Sequence, residues 1–152
     1  ASIGAPTPFV IAVSANPGAV DMERELSRFR WKAEAGADLA VTQPVFHVGE
    51  LVSFLDATAA HPLPLQVGLW PMTSLRNAEY LHHEVPGVRV SDEGMARMRR
   101  AHDEGGEAAA RAEGIAIARE VREALAGLER VAGVHVHAPG GDVNAALAVV
   151  NS

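Results

Sequence analysis

A chain of 152 residues, 48% hydrophobic and 21% charged, is long enough for a sizeable core and fits one domain. The formal charge of −6 disfavours a nucleic-acid backbone as partner, and the lack of cysteine excludes disulfides and thiolate chemistry. No apolar run approaches the roughly 20 residues that span a bilayer, and no basic-then-apolar leader is seen, so a cytoplasmic address without a membrane partner is expected.

The run Phe9-Val10-Ile11-Ala12-Val13 is apolar and rich in β-branched residues, the pattern of a strand buried on both faces, and Ser14-Ala15-Asn16-Pro17-Gly18 ends it in a turn. Asp21 suits the N-cap of a helix whose Met22, Leu26, Phe29 and Ala33 share a face, and Gly36 suits the left-handed position just past its end. Leu39-Ala40-Val41 then reads as a short buried strand. Pro44 lacks the N–H that further sheet pairing needs, so Thr42 and Gln43 fall at that strand's carboxyl end, where parallel α/β architectures bind ligands.

A second helix is predicted from about Gly49 to Ala60, with Leu51, Phe54 and Leu55 inward, and His61-Pro62 stops it. In the third strand, Pro64 to Trp70, Leu65, Val67 and Leu69 share one face while Gln66, Gly68 and Trp70 share the other. Gly68 would let a planar ligand approach the backbone. Thr73 or Ser74 caps a helix to about Glu84, Val85-Pro86-Gly87 breaks it, and Ser91 opens a short helix through Arg100. Gly105-Gly106 separates this from a long helix, about Ala108 to Leu128, striped with Ile115, Ala118, Val121, Leu125 and Leu128. The last strand, Val134 to Ala138, is followed by Pro139-Gly140-Gly141 and a helix capped by Asp142.

Four consecutive βα units imply an α/β fold with a parallel sheet, wound either as an open doubly wound sheet or as part of a (β/α)8 barrel. Periodicity alone does not separate the two. His135 and His137, at i and i+2, project from one strand face, a spacing that metals can use; no third ligand of matching geometry is visible, so no metal site is assigned. His82 and His83 are adjacent on a helix and face apart. No Ser-His-Asp arrangement, phosphate loop or Rossmann glycine fingerprint is present.

Three segments carry a family resemblance: Thr42-Gln43-Pro44-Val45-Phe46, the stretch Leu69-Trp70-Pro71-Met72-Thr73-Ser74-Leu75-Arg76-Asn77-Ala78-Glu79, and Glu113-Gly114-Ile115-Ala116-Ile117-Ala118-Arg119-Glu120. Over roughly Phe9 to Val150 the chain resembles the C-terminal half of methylenetetrahydrofolate reductases, in particular the variety fused behind a homocysteine S-methyltransferase domain. The resemblance implies the last four units of a (β/α)8 TIM barrel, and an oxidoreductase that passes hydride from NAD(P)H through FAD to 5,10-methylenetetrahydrofolate. By the same resemblance, Gln43 with Thr42 and Asn77 contact the folate. Ser14, Ala15 and Asn16 form the loop the flavin lies against, while Glu25, Arg28 and Lys32 lie near its adenosine and pyrophosphate. The latter three, at i, i+3 and i+7, share a helix face.

Two positions depart from the relatives. His47 stands where they carry an acidic residue, and Ala138-Pro139-Gly140-Gly141-Asp142 stands where they read Ala-Pro-Phe-Gly-Arg, so an aromatic and a folate-end arginine are gone. The family's acid, a glutamate on the first barrel strand, and its flavin-facing aspartate on the fourth lie on strands this chain lacks. The chain alone is therefore expected to be inactive. Half a barrel would also leave its lumen side chains in water. Each large apolar one is worth about 1.5–3 kcal/mol against a net stability of about 5–15 kcal/mol, so a missing N-terminal half or a second copy is expected to cover them. The alternative is a non-catalytic half-barrel that binds folate or a nucleotide, or serves as an assembly module forming a homodimer.

Overall fold

The structure, a computed structural model, describes Gly4 and residues 9–151. In chain order it contains β1 (Ala12–Ala15), α1 (Met22–Glu34), β2 (Leu39–Pro44), α2 (Val48–Ala57), β3 (Leu65–Leu69), α3 (Leu75–Glu84), α4 (Asp92–Ala124), β4 (Val131–Val136), a 3-10 turn (Pro139–Gly141) and α5 (Val143–Val150). The four strands are parallel and lie in the order β1-β2-β3-β4. A doubly wound sheet reverses its strand order at a switch point; this sheet steps one way throughout. That progression is consistent with part of a (β/α)8 barrel.

The main core lies on one face of the sheet. Val13 and Ala15 of β1, Ala40 of β2, Leu65, Val67 and Leu69 of β3, and Val134 and Val136 of β4 meet Phe29 of α1, Leu51 and Phe54 of α2, the Ile115, Ala118 and Val121 stripe of α4, and Ala145 and Val149 of α5. Phe29 and Phe54, both fully buried, pack edge to face with centroids 5.2 Å apart, an arrangement that adds to their area burial. On the opposite face Ser14, Gln43 and Gln66 are exposed, while His135 and His137 are half-buried. Leu39 and Val41 of β2, both half-buried, share this face, so it mixes polar and apolar groups.

Caps follow the sequence. Asp21, Ser74, Ser91 and Asp142 each accept a bond from the backbone N–H three residues on, that of Arg24, Asn77, Gly94 and Ala145 respectively. The expected break at Gly105-Gly106 is a kink inside α4: Gly106 has φ 66° and ψ −158°, and helix resumes beyond it. Arg97 ties the two limbs together, donating to Glu113 at 2.5 Å and, as a fork, to both oxygens of Glu120 at 2.6 and 2.7 Å. The first limb and α3 build a second core on Phe46 and Met72, with Leu81, Met95, Met98 and Ile117. Because Phe46 and Met72 follow β2 and β3 directly, this layer sits beside the carboxyl ends of the strands.

The first strand departs from expectation. β1 is Ala12–Ala15, and Phe9, Val10 and Ile11 are 77%, 70% and 51% exposed rather than buried on both faces. β1 is a sheet edge, paired only with β2, and no described helix lies over the residues that lead into it. The fourth strand starts earlier than expected, at Val131, because a register shift sets Val131 against Leu65 and Gly133 against Gln66.

Gly114 explains one glycine of the third family segment. A Cβ there would run into the Met72 carbonyl oxygen, so the second limb of α4 reaches the chain after β3 only without a side chain. Gly114→Ala is expected to destabilise the fold by about 1–3 kcal/mol through overpacking, read as a lower urea midpoint; an unchanged midpoint would contradict this packing.

Candidate functional site

The site is built where β2 and β3 end. Between Val41 and Pro44 the β2–β3 register shifts, and a side chain completes the pairing. The Thr42 hydroxyl accepts the Gly68 N–H at 2.9 Å and donates to the Gln43 carbonyl at 2.8 Å, and the Val45 N–H donates to the Gly68 carbonyl at 2.9 Å. Thr42 is 3% exposed, so its hydroxyl is committed to the sheet and acts by fixing the strand end. Gln43, next along, is exposed. Its amide offers both a donor and an acceptor to whatever lies over the strand end.

Asn77, in the first turn of α3, is half-buried. Its Oδ1 accepts from Trp70 Nε1 at 3.1 Å and from the Thr73 N–H at 3.4 Å, which leaves the amide NH2 as its outward-looking group. Trp70 in turn lies against the His137 ring, with centroids 4.9 Å apart and planes tilted by 30°, and His137 against His135 at 4.8 Å. The two histidines meet through their Nε2 atoms at 3.0 Å. Burial lowers the pKa of His135; burial first, then the charge of His135, lowers that of His137. The His135 ring takes the space above Gly68, whose Cβ would lie 3.0 Å from His135 Cε1 and 2.8 Å from the Thr42 carbonyl. The expected ligand approach at Gly68 is corrected accordingly: an imidazole fills that space.

A second group gathers at the end of β1. Lys32 Nζ donates to the Ser14 carbonyl at 2.6 Å and its Oγ at 3.3 Å. Asn16 shapes the loop: its Oδ1 accepts the Gly18 N–H at 3.1 Å, and its own N–H donates to Glu25 Oε1 at 3.0 Å. Glu25 is 8% exposed and thereby separates from the charged row expected on α1, turning inward to hold the loop while Arg28 faces solvent. Ala15 is buried and can offer only its backbone. Arg28 and Lys32 line an open groove of about 680 Å³ with Arg24, Ser27, Trp31 and the carboxylates of Asp21 and Glu23.

Sequence reasoning missed one cation. Arg111 of α4 forks onto Asp142, at 2.7 and 3.0 Å, beside the turn after β4. The Arg111 bond, then the Ala145 N–H, holds the Asp142 carboxyl below its usual range. At 31 residues apart the pair left no local signal. His47 is the exposed N-cap of α2 and makes no side-chain cap bond.

Two outcomes are expected. Thr42→Val, which keeps the shape and deletes the hydroxyl, leaves the buried Gly68 N–H without its acceptor and should cost about 1–3 kcal/mol in denaturant unfolding. Because the folded-state pKa of both His135 and His137 is depressed, their contribution to stability is present above the unfolded value of about 6.5 and is lost as pH falls below it. Replacing both with glutamine should flatten the pH dependence of the urea midpoint in that interval.

Among the described residues no helix is long and apolar enough to cross a membrane, and no three His, Cys, Asp or Glu side chains cluster as a metal site. No curated protein matches the chain. A family model described as methylenetetrahydrofolate reductase matches residues 8–140, from the approach to β1 through β4 to the turn beyond it. With the parallel sheet and the amides at its strand ends, that match over most of the length places the chain in the methylenetetrahydrofolate reductase family.

Proposed function

We propose that this chain supplies the folate- and flavin-contacting C-terminal half of a (β/α)8 reductase that converts 5,10-methylenetetrahydrofolate to 5-methyltetrahydrofolate. The observation that carries the reading is the pair of amides on adjacent units, Gln43 exposed at the end of β2 and Asn77 with its oxygen held by Trp70 and its NH2 left to donate. Gln43 can both donate to and accept from the edge of a pterin, and Asn77 can only donate. Thr42 takes part indirectly, by fixing the strand end that carries Gln43.

The residues at the end of β1 fit FAD. Lys32 keeps donor capacity beyond its bonds to Ser14, Arg28 is exposed, and both line the groove on α1, a donor set that suits a pyrophosphate. Ser14 and Asn16 would hold the ring end of the cofactor, and Ala15 would offer backbone alone. When bound, FAD supplies the hydride relay from NAD(P)H to the folate. Glu25 does not serve as the acid, because its Oε1 holds the Asn16 N–H. The proton donor comes from the other half of the barrel, so this chain alone is inactive.

The open edges support a covering partner. Phe9, Val10 and Ile11 lead into β1, and Val143, Leu147 and Val150 lie on α5 beside β4; all six are exposed. Four further βα units, from the same polypeptide or a second copy, would pair with both edges and enclose the inner face. The fused methyltransferase variety and a cytoplasmic setting belong to the same proposal, on the strength of the sequence segments and composition.

In the complete enzyme Gln43→Ala should weaken folate binding roughly 2- to 10-fold, the loss of ordinary hydrogen bonds, while flavin absorbance is retained. Lys32→Ala with Arg28→Ala should do the reverse and release flavin first. Unchanged folate affinity in the Gln43 variant would overturn the assignment. A colourless, stable homodimer of the chain by itself would favour an assembly module instead.

A further inference from the structure

We propose that His135 and His137 form a two-nitrogen chelate on the inner face of β4 for a divalent ion that prefers nitrogen donors at right angles, Cu2+ or Ni2+. Residues at i and i+2 of a strand project from one face, but that spacing alone leaves the ring nitrogens free to diverge. Here they converge: the Nε2 atoms are 3.0 Å apart. Two imidazole nitrogens each about 2.1 Å from one ion and at a right angle, as in the tetragonal sites of Cu2+ and Ni2+, are separated by about 3.0 Å, against about 3.4 Å in a tetrahedral Zn2+ site. The pair thus already holds the span of two adjacent coordination positions.

The surroundings keep it there. The Trp70 ring lies against His137, and Trp70 is itself anchored through Nε1 to Asn77. His135 sits over Gly68, where any larger residue would displace the ring. Both imidazoles are half-buried and favour the neutral form, the form that binds metal. Without an ion, the same 3.0 Å suits one N–H···N hydrogen bond. Chelation requires both Nε2 atoms to be bare, so the shared proton moves to the Nδ1 of the ring that held it, and no proton leaves the protein.

The chemistry also sets limits on affinity. Among the described residues no third His, Cys, Asp or Glu joins the pair, so water or an atom of a bound ligand fills the other positions. His135 Nδ1 is buried without a partner, whereas tight sites anchor that second nitrogen. An exchangeable site of micromolar rather than nanomolar affinity follows.

The test is calorimetric titration of Ni2+ into the full chain at neutral pH, with Cu2+ paramagnetic resonance as a second readout. One ion per chain is expected, with hyperfine structure from two nitrogens. His135→Gln and His137→Gln should each weaken binding roughly tenfold or more, while His82→Gln with His83→Gln leaves it unchanged. Neither substitution removes a core residue, and far-UV circular dichroism checks the fold. Absence of binding by the unaltered chain, equal affinity in the double His135/His137 variant, or a Cu2+ spectrum without two coupled nitrogens would each overturn the proposal. The titration needs neither flavin nor folate, so its failure leaves the folate reading standing.

Discussion

The constraint on which the rest of the structure depends is that one face of an open parallel sheet is apolar and the other is not. In α/β folds a parallel sheet is ordinarily covered on both faces, since its strands read as continuous apolar runs. Here the strands alternate. Leu65, Val67 and Leu69 point to the helices while Gln66 and Gly68 point away, and Val134 and Val136 alternate with His135 and His137 in the same way. One layer of helices builds a core around Phe29 and Phe54, and the uncovered face carries hydrogen-bonding groups beside Leu39 and Val41 of β2. The polar face is thus the surface on which chemistry can be arranged.

From that division the site follows by short steps. The register shift after Val41 would orphan a ladder N–H at Gly68, and the Thr42 hydroxyl takes it up. Gln43 is then delivered at the strand end with its side chain exposed. Gly68, lacking a side chain, admits the His135 ring; His135 meets His137, His137 packs on Trp70, and Trp70 orients Asn77. Two amides on different units are thereby linked through one chain of contacts across β2, β3 and β4.

Much of this was legible in the sequence, for reasons that are local. Caps at Asp21, Ser74, Ser91 and Asp142, the turn at Gly36 with φ 95°, and the face division of β3 rest on spacing within a few residues. What failed to read depended on partners elsewhere. Phe9-Val10-Ile11 looks like an interior strand because composition does not reveal that β1 is an edge. Glu25 looks like part of a solvated row because its partner is a backbone N–H, which has no letter in the sequence. The shift that starts β4 at Val131 and the Arg111–Asp142 pair likewise arise between distant segments. The bond from the Gly68 N–H to the Thr42 hydroxyl, 26 residues away in sequence, also left no local signal.

The Arg111–Asp142 pair also changes the meaning of the departure from relatives at Gly140-Gly141-Asp142. Taken from sequence, replacing an arginine by an aspartate swaps a positive charge for a negative one, which would repel an anionic ligand at that end of the site. In the structure the carboxylate is bound by a bidentate guanidinium from α4, so the pair is locally neutral. The net effect is the removal of one cation rather than the addition of an anion. Asp142 at the same time caps α5 by accepting the Ala145 N–H.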